Sequence, residues 1–130
     1  MGPPRDKRHI AGTPSWYLFV ASGDRTHLID ADQMDVQDLR AAMEAHQAGW
    51  SRLLEKDLDP ETILREVDDH DGFERHLPVG IQLAQALHHG SDHRSQVCTA
   101  LTTLGLPVPD IDVWAFGLHD GRVIELPPTS

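Results

Sequence analysis

Two histidines, His89 and His93, stand four residues apart in the stretch His89-Gly-Ser-Asp-His93-Arg94-Ser-Gln96. On an α-helix that spacing separates the side chains by about 40° of rotation and ~6 Å of rise, so both imidazoles reach one cation. The helical zinc proteases share the spacing but carry a Glu beside the first histidine; Gly90 occupies that place here, so the protease reading fails. A shared ion needs a third donor, and three imidazoles around a divalent metal leave a position open, as in catalytic rather than structural zinc sites. His9 and His46 are the candidates for that donor. His46 is the polar member of an otherwise apolar stripe, which reads as a hydrogen-bonded core residue, and His9 by its own surroundings reads as part of a tail. Cys98 falls opposite His89 on a helical wheel and is a poor ligand. The plainer reading of the pair is two solvated histidines on a polar flank. Their place beside an apolar stripe argues against it, because half-buried imidazoles gain from a shared Lewis acid.

The elements that must hold these residues are helical. Asp35 can cap a helix running from Val36 to about Lys56, with Asp38 at its third position and Val36, Leu39, Met43, His46, Trp50 and Leu53 as the buried stripe. A second long helix is expected from about Val79 to Leu104, closed by Gly105 and kept closed by Pro107 and Pro109. On it Leu83, Leu87, Val97, Leu101 and Leu104 form the expected buried stripe, with the two histidines at its border. An early helix is expected from near Thr13, with Pro14 in its first turn. Asp59-Pro60-Glu61 predicts a short helix to about Glu66, Asp68 to Gly72 a polar turn, and residues 73–77 an extended segment before Pro78. The segment from Leu106 to Ser130 is expected to be extended.

The chain has 130 residues, enough for one core, with 21 acidic against 11 basic residues and a formal net charge of -10. That balance repels phosphate backbones, and the basic residues are scattered, so no nucleic-acid partner is expected. No apolar run approaches the ~20 residues that cross a bilayer, so no membrane partner is expected either. The lone Cys98 agrees with a reducing, cytoplasmic setting. Residues 1–22 imitate a secretory signal, a reading that Pro14 interrupts and that would remove His9.

His88-His89-Gly-Ser-Asp-His93-Arg94-Ser-Gln96, followed by Leu104-Gly105-Leu-Pro-Val-Pro109, resembles the signature of the DinB-like family of small metal-binding helical bundles. In that family two histidines four apart precede an Arg and a Gln, and Leu-Gly then ends the helix; Ser95 stands where a Gly is usual. Upstream, His9-Ile-Ala-Gly-Thr-Pro-Ser-Trp16-Tyr-Leu18 resembles the segment that supplies the family's third ligand. The resemblance implies an all-α, up-and-down bundle over residues 9–117, short of most of the first helix, with a flexible lead at 1–8 and an irregular tail at 118–130. It also implies a metal site of His9, His89 and His93, most simply zinc, with nickel or iron compatible with the same donors. Arg94 and Gln96 become the candidate cofactor-binding residues: Arg94 for a substrate carboxylate, or to tie the helix to a neighbour, and Gln96, or Asp92, to orient a ligand imidazole. No residue is assigned as the catalytic group. Characterised relatives include transferases and isomerases that use low-molecular-weight thiols, so a small thiol is the expected partner molecule, with a hydrolase-type reaction as a variant. The missing helix would expose apolar surface that a second copy could cover, so a homodimer is expected. The alternative is a non-enzymatic helical module that self-associates and whose metal site is incomplete.

Overall fold

The computed structural model describes the backbone of residues 7–68 and 71–129, and within those ranges the side chains from Gly12 onward. The helices are α1 (Lys7–Ser22), α2 (Val36–Leu54), α3 (Val79–Thr103) and α4 (Val113–His119), with strands β1 (Ile63–Val67) and β2 (Glu74–Pro78) between α2 and α3. The protein is thus mostly helical, with one two-stranded antiparallel sheet added. Residues 1–90 and 91–130 form two compact units.

In the first unit, α1 and α2 pack together around Leu18, which is wholly buried, and Leu39 and Leu53 from α2. The start of α2 follows from its first residues. Asp38 N–H donates to Asp35 Oδ1 at 2.8 Å and Asp35 N–H donates back to Asp38 Oδ2 at 3.4 Å, a reciprocal cap that satisfies two otherwise orphaned donors. The expected stripe on α2 is buried at Leu39, His46 and Leu53, whereas Val36 and Met43 are about half exposed. Gly49 joins the buried face, and the His27 ring lies so close that a Cβ there would stand 2.8 Å from its Cε1. Helix α1 begins at Lys7 rather than near Thr13, so Pro14 lies inside the helix. It forgoes one backbone hydrogen bond to the carbonyl four residues back, a loss tolerated where flanking turns are held by packing. Two short 3-10 turns, Arg25–His27 and Ala31–Gln33, lead from α1 to α2.

The helix expected over 60–66 is replaced by a single turn and a strand. Asp59 Oδ1 accepts from Glu61 N–H at 2.9 Å and the Asp59 carbonyl from Thr62 N–H at 3.1 Å, after which the chain extends. Ile63 to Val67 alternates in exposure and pairs with β2, placing Leu64 opposite Leu77 and Arg65 opposite His76. A strand partner beats local helix signals here because the expected turn before Phe73 returns the chain antiparallel, with Gly72 at φ +72°. Residues 74–78 are extended, as expected. The Trp16 indole N–H donates to Glu66 Oε1, fixing the hairpin to α1.

In the second unit, α3 ends where Gly105 adopts φ +72°, as the sequence predicts. The segment after it is not wholly extended: Asp112 caps α4 by accepting from Ala115 N–H at 2.7 Å, and Gly121, at φ +71°, follows its end. Helix α4 therefore runs across the boundary placed at residue 117. Among the described residues no helix is long and apolar enough to cross a membrane.

Candidate functional site

The histidine pair lies where the sequence puts it along the chain, but on a different face of α3. Val79, Gln82 and His93 are buried, and Ala86, His89 and Gly90 are half-buried, a series stepping by three and four residues. The leucines expected to be buried are not: Leu87 and Leu104 are each 73% exposed, Val97 is 42% exposed, and Leu83 and Leu101 are half-buried. The histidines thus belong to the buried face instead of bordering it. Small side chains at Ala86 and Gly90 make that face the one along which a neighbouring backbone can approach, and its polar groups are satisfied. Gln82 donates to the Tyr17 carbonyl at 3.4 Å, and Gln85 donates to the Tyr17 hydroxyl at 3.2 Å. The Tyr17 ring meets His89 edge-on, with centroids 5.6 Å apart.

His93 Nδ1 lies 3.0 Å from Gln96 Oε1. An amide oxygen only accepts, so Nδ1 carries the proton and, in the neutral ring, Nε2 carries the lone pair. Asp92, the other candidate for orienting an imidazole, is exposed. Gln96 itself is exposed, so the imidazole and not the amide is the buried partner.

Arg94 is exposed and donates to Ser91 Oγ at 3.3 Å. It lines an open cleft of about 400 Å³ in the second unit, together with Asp110, Ile111, Asp112, Phe116 and His119. Arg94 thus shares the cleft with two aspartates, of which Asp112 is engaged in capping α4. His119 and Asp112 were not singled out by the sequence. The signal was there in Asp112, which precedes Val113-Trp-Ala-Phe as a capping residue precedes a helix.

His46 proves to be a core residue of the first unit. It is 6% exposed and its Nε2–H donates to the His27 carbonyl at 2.8 Å, with the two rings edge-on at 6.1 Å. Its Nδ1 is buried without a hydrogen-bond partner. Burial therefore pushes its pKa below the ordinary histidine range, with the neighbouring His27 adding to the effect and the bond to the His27 carbonyl opposing it. Among the described residues no three His, Cys, Asp or Glu side chains are grouped so as to hold a metal, so His46 does not complete a site with His89 and His93. The remaining expected ligand, His9, has its backbone in α1 and its side chain outside the described residues. Cys98 is a free, half-buried thiol.

No family model matches the chain, and neither a curated protein nor a solved structure matches it.

Proposed function

We propose that this chain is a DinB-like metalloprotein in which His9, His89 and His93 hold one divalent ion, most simply zinc, within an up-and-down helical bundle. The observation that carries the reading is His93: a buried imidazole whose Nδ1–H is tied to Gln96 presents Nε2 as its donor atom. His89, one turn earlier on the same face of α3, supplies a second imidazole of the type zinc, nickel and iron accept. Bound there, the ion would lower the pKa of a coordinated thiol or water and so give a nucleophile at neutral pH. The reaction that fits this reading is a transfer or isomerisation using a low-molecular-weight thiol, or a related hydrolysis, in the cytoplasm. In this reading Gln96 holds the His93 tautomer and Arg94, which lines an open cleft, would bind a substrate carboxylate; the bond from His93 and the exposure of Arg94 support the assignment. The test is metal analysis of tag-free protein beside the His9→Ala, His89→Ala and His93→Ala variants, followed by thiol consumption with electrophilic substrates in the loaded wild type.

A second reading, a non-enzymatic helical module that self-associates, is favoured by one observation: the second unit leaves large apolar side chains, Trp114 and Phe116 among them, more than half exposed. A metal-free protein with undiminished self-association would select it.

A further inference from the structure

Residues 91–130 carry two guanidinium groups, Arg94 and Arg122, amid an excess of carboxylates. Arg122 is paired, with its Nε 2.7 Å from Asp120 Oδ2. Arg94 is not: among the described residues no carboxylate oxygen comes within 4.0 Å of its guanidinium nitrogens, although Asp110 and Asp112 line the same cleft. Its hydrogen bond goes to a neutral acceptor, Ser91 Oγ at 3.3 Å, which leaves most of its N–H donors to a ligand. Of the two aspartates, Asp112 uses Oδ1 to accept from Ala115 N–H at 2.7 Å, whereas Asp110 accepts a long bond from Asp112 N–H at 3.5 Å. Asp110 is therefore the carboxylate with acceptor capacity to spare. Beside these charges stand Ile111, 44% exposed, and Phe116, 60% exposed. At about 400 Å³ the cleft falls within the size range of small-ligand sites.

We infer that this cleft binds a small zwitterion with an apolar side chain, a free amino acid or a short peptide, its carboxylate on Arg94, its ammonium on Asp110 and its side chain against Phe116. The charges select the class. A simple anion drawn to Arg94 meets two aspartates in the same cleft, and a simple cation drawn to the aspartates meets Arg94; a ligand bearing both signs avoids either repulsion. A guanidinium holds a carboxylate through two parallel N–H···O bonds, and an ammonium donates to the carboxylate oxygens of an aspartate. Ile111 and the exposed Phe116 ring give the apolar part of the ligand a surface on which to leave water, ring against ring for an aromatic side chain. The cleft is open and its charges face water, so the affinity is expected to be weak, with Kd on the order of 1 mM. The inference rests on the carboxylate role proposed for Arg94 but on none of His9, His89 and His93, so it stands or falls apart from the metal.

The experiment is a proton–nitrogen NMR titration of the tag-free full chain, in chelator, with L-phenylalanine and with glycyl-L-phenylalanine, whose ammonium stands farther from its carboxylate. Saturable shifts centred on Arg94 and residues 110–119 are expected with at least one of them, and the tighter one gives the charge separation that the cleft fits. 3-Phenylpropionate, which lacks the ammonium, and phenethylamine, which lacks the carboxylate, are expected to bind at least about fivefold more weakly. Arg94→Gln and Asp110→Asn, both at exposed positions, are expected to weaken the zwitterion by a similar factor. Arg122→Gln, which removes an equal charge outside the cleft, is expected to leave binding unchanged. No saturation up to about 20 mM overturns the inference, as do one-charge ligands that bind as tightly, or undiminished binding in Arg94→Gln and Asp110→Asn. Binding present with zinc and lost in chelator assigns the ligand to the histidine site and overturns it too. A chain that holds no metal and still binds the zwitterion supports it, and the metal reading then fails alone.

Discussion

Gln96 lies one helical turn beyond His93 and accepts a hydrogen bond from its Nδ1 at 3.0 Å, which puts the proton of the neutral ring on Nδ1 and the lone pair on Nε2. The relationship is local to α3, so substitution of Gln96 leaves the packing of the other helices in place. Gln96→Ala is expected to weaken metal affinity by roughly 10- to 100-fold, the usual effect of losing the group that orients a ligand imidazole. Gln96→Glu, which keeps an acceptor at the same reach, is expected to retain binding. Competitive titration with a chromophoric chelator measures both, and equal affinities for wild type and Gln96→Ala would remove Gln96 from the site.

The buried His46 makes the first unit sensitive to acid. Its folded-state pKa is lowered by burial, so between that value and the ordinary ~6.5 the unfolded chain binds more protons than the folded one, and stability rises with pH. The contribution is complete above about 6.5 and is lost as the pH falls below it, because a second proton on the ring would put an unpaired N–H at the buried Nδ1. His46→Gln, whose amide can still reach the His27 carbonyl, is expected to flatten the slope of urea stability against pH between 5 and 6.5. An unchanged slope would show that another group governs it.

Gly49 permits the contact between α2 and the His27 ring. Gly49→Ala adds a methyl group 2.8 Å from His27 Cε1 and 2.9 Å from Leu18 Cδ2, and Leu18 is fully buried. Alanine is the better helix former by about 1 kcal/mol, but overpacking costs roughly 1–3 kcal/mol, so a net loss of stability is expected in chemical denaturation. A stabilised variant would mean that the 3-10 turn carrying His27 moves aside freely.

Asp35 closes the start of α2 through its bond from Asp38 N–H. Asp35→Ala is expected to lower stability by about 1 kcal/mol, and Asp35→Ser by less, since serine restores the acceptor. Denaturant midpoints at constant m-value distinguish the two.

On the hairpin, Glu74 is held at about 2 by its bonds from Arg65 and His76, with charge attraction adding to them. Being depressed, it favours the folded state above about 4.5 and ceases to do so as the pH falls toward 2. Glu74→Gln is expected to remove that acid-limb dependence and to lower stability at neutral pH by the same contribution, a small one because the pair is solvent-exposed.

Local signals made the two long helices legible. Asp35 and Asp38 announce the start of α2, and Gly105 with two prolines after it announces the end of α3. What the sequence concealed depends on distant partners. Ile63 to Val67 follows a helix-starting Asp-Pro-Glu and becomes a strand only because Glu74 to Pro78 lies alongside it. The buried face of α3 was misjudged for a related reason: hydropathy favours the row of Leu83, Leu87 and Leu104, whereas packing selects the row with Gln82, Ala86 and His93, where Tyr17 meets the polar groups. His46 was legible as a core histidine, but its acceptor, a backbone carbonyl 19 residues away, was not.

The most direct measurement is the metal content of tag-free wild-type protein set against the His89→Ala and His93→Ala variants. About one divalent ion per chain in the wild type, lost from both variants while their helical content persists, is the expected result. A wild type that binds no ion under saturating zinc, or variants that retain it undiminished, would contradict the account.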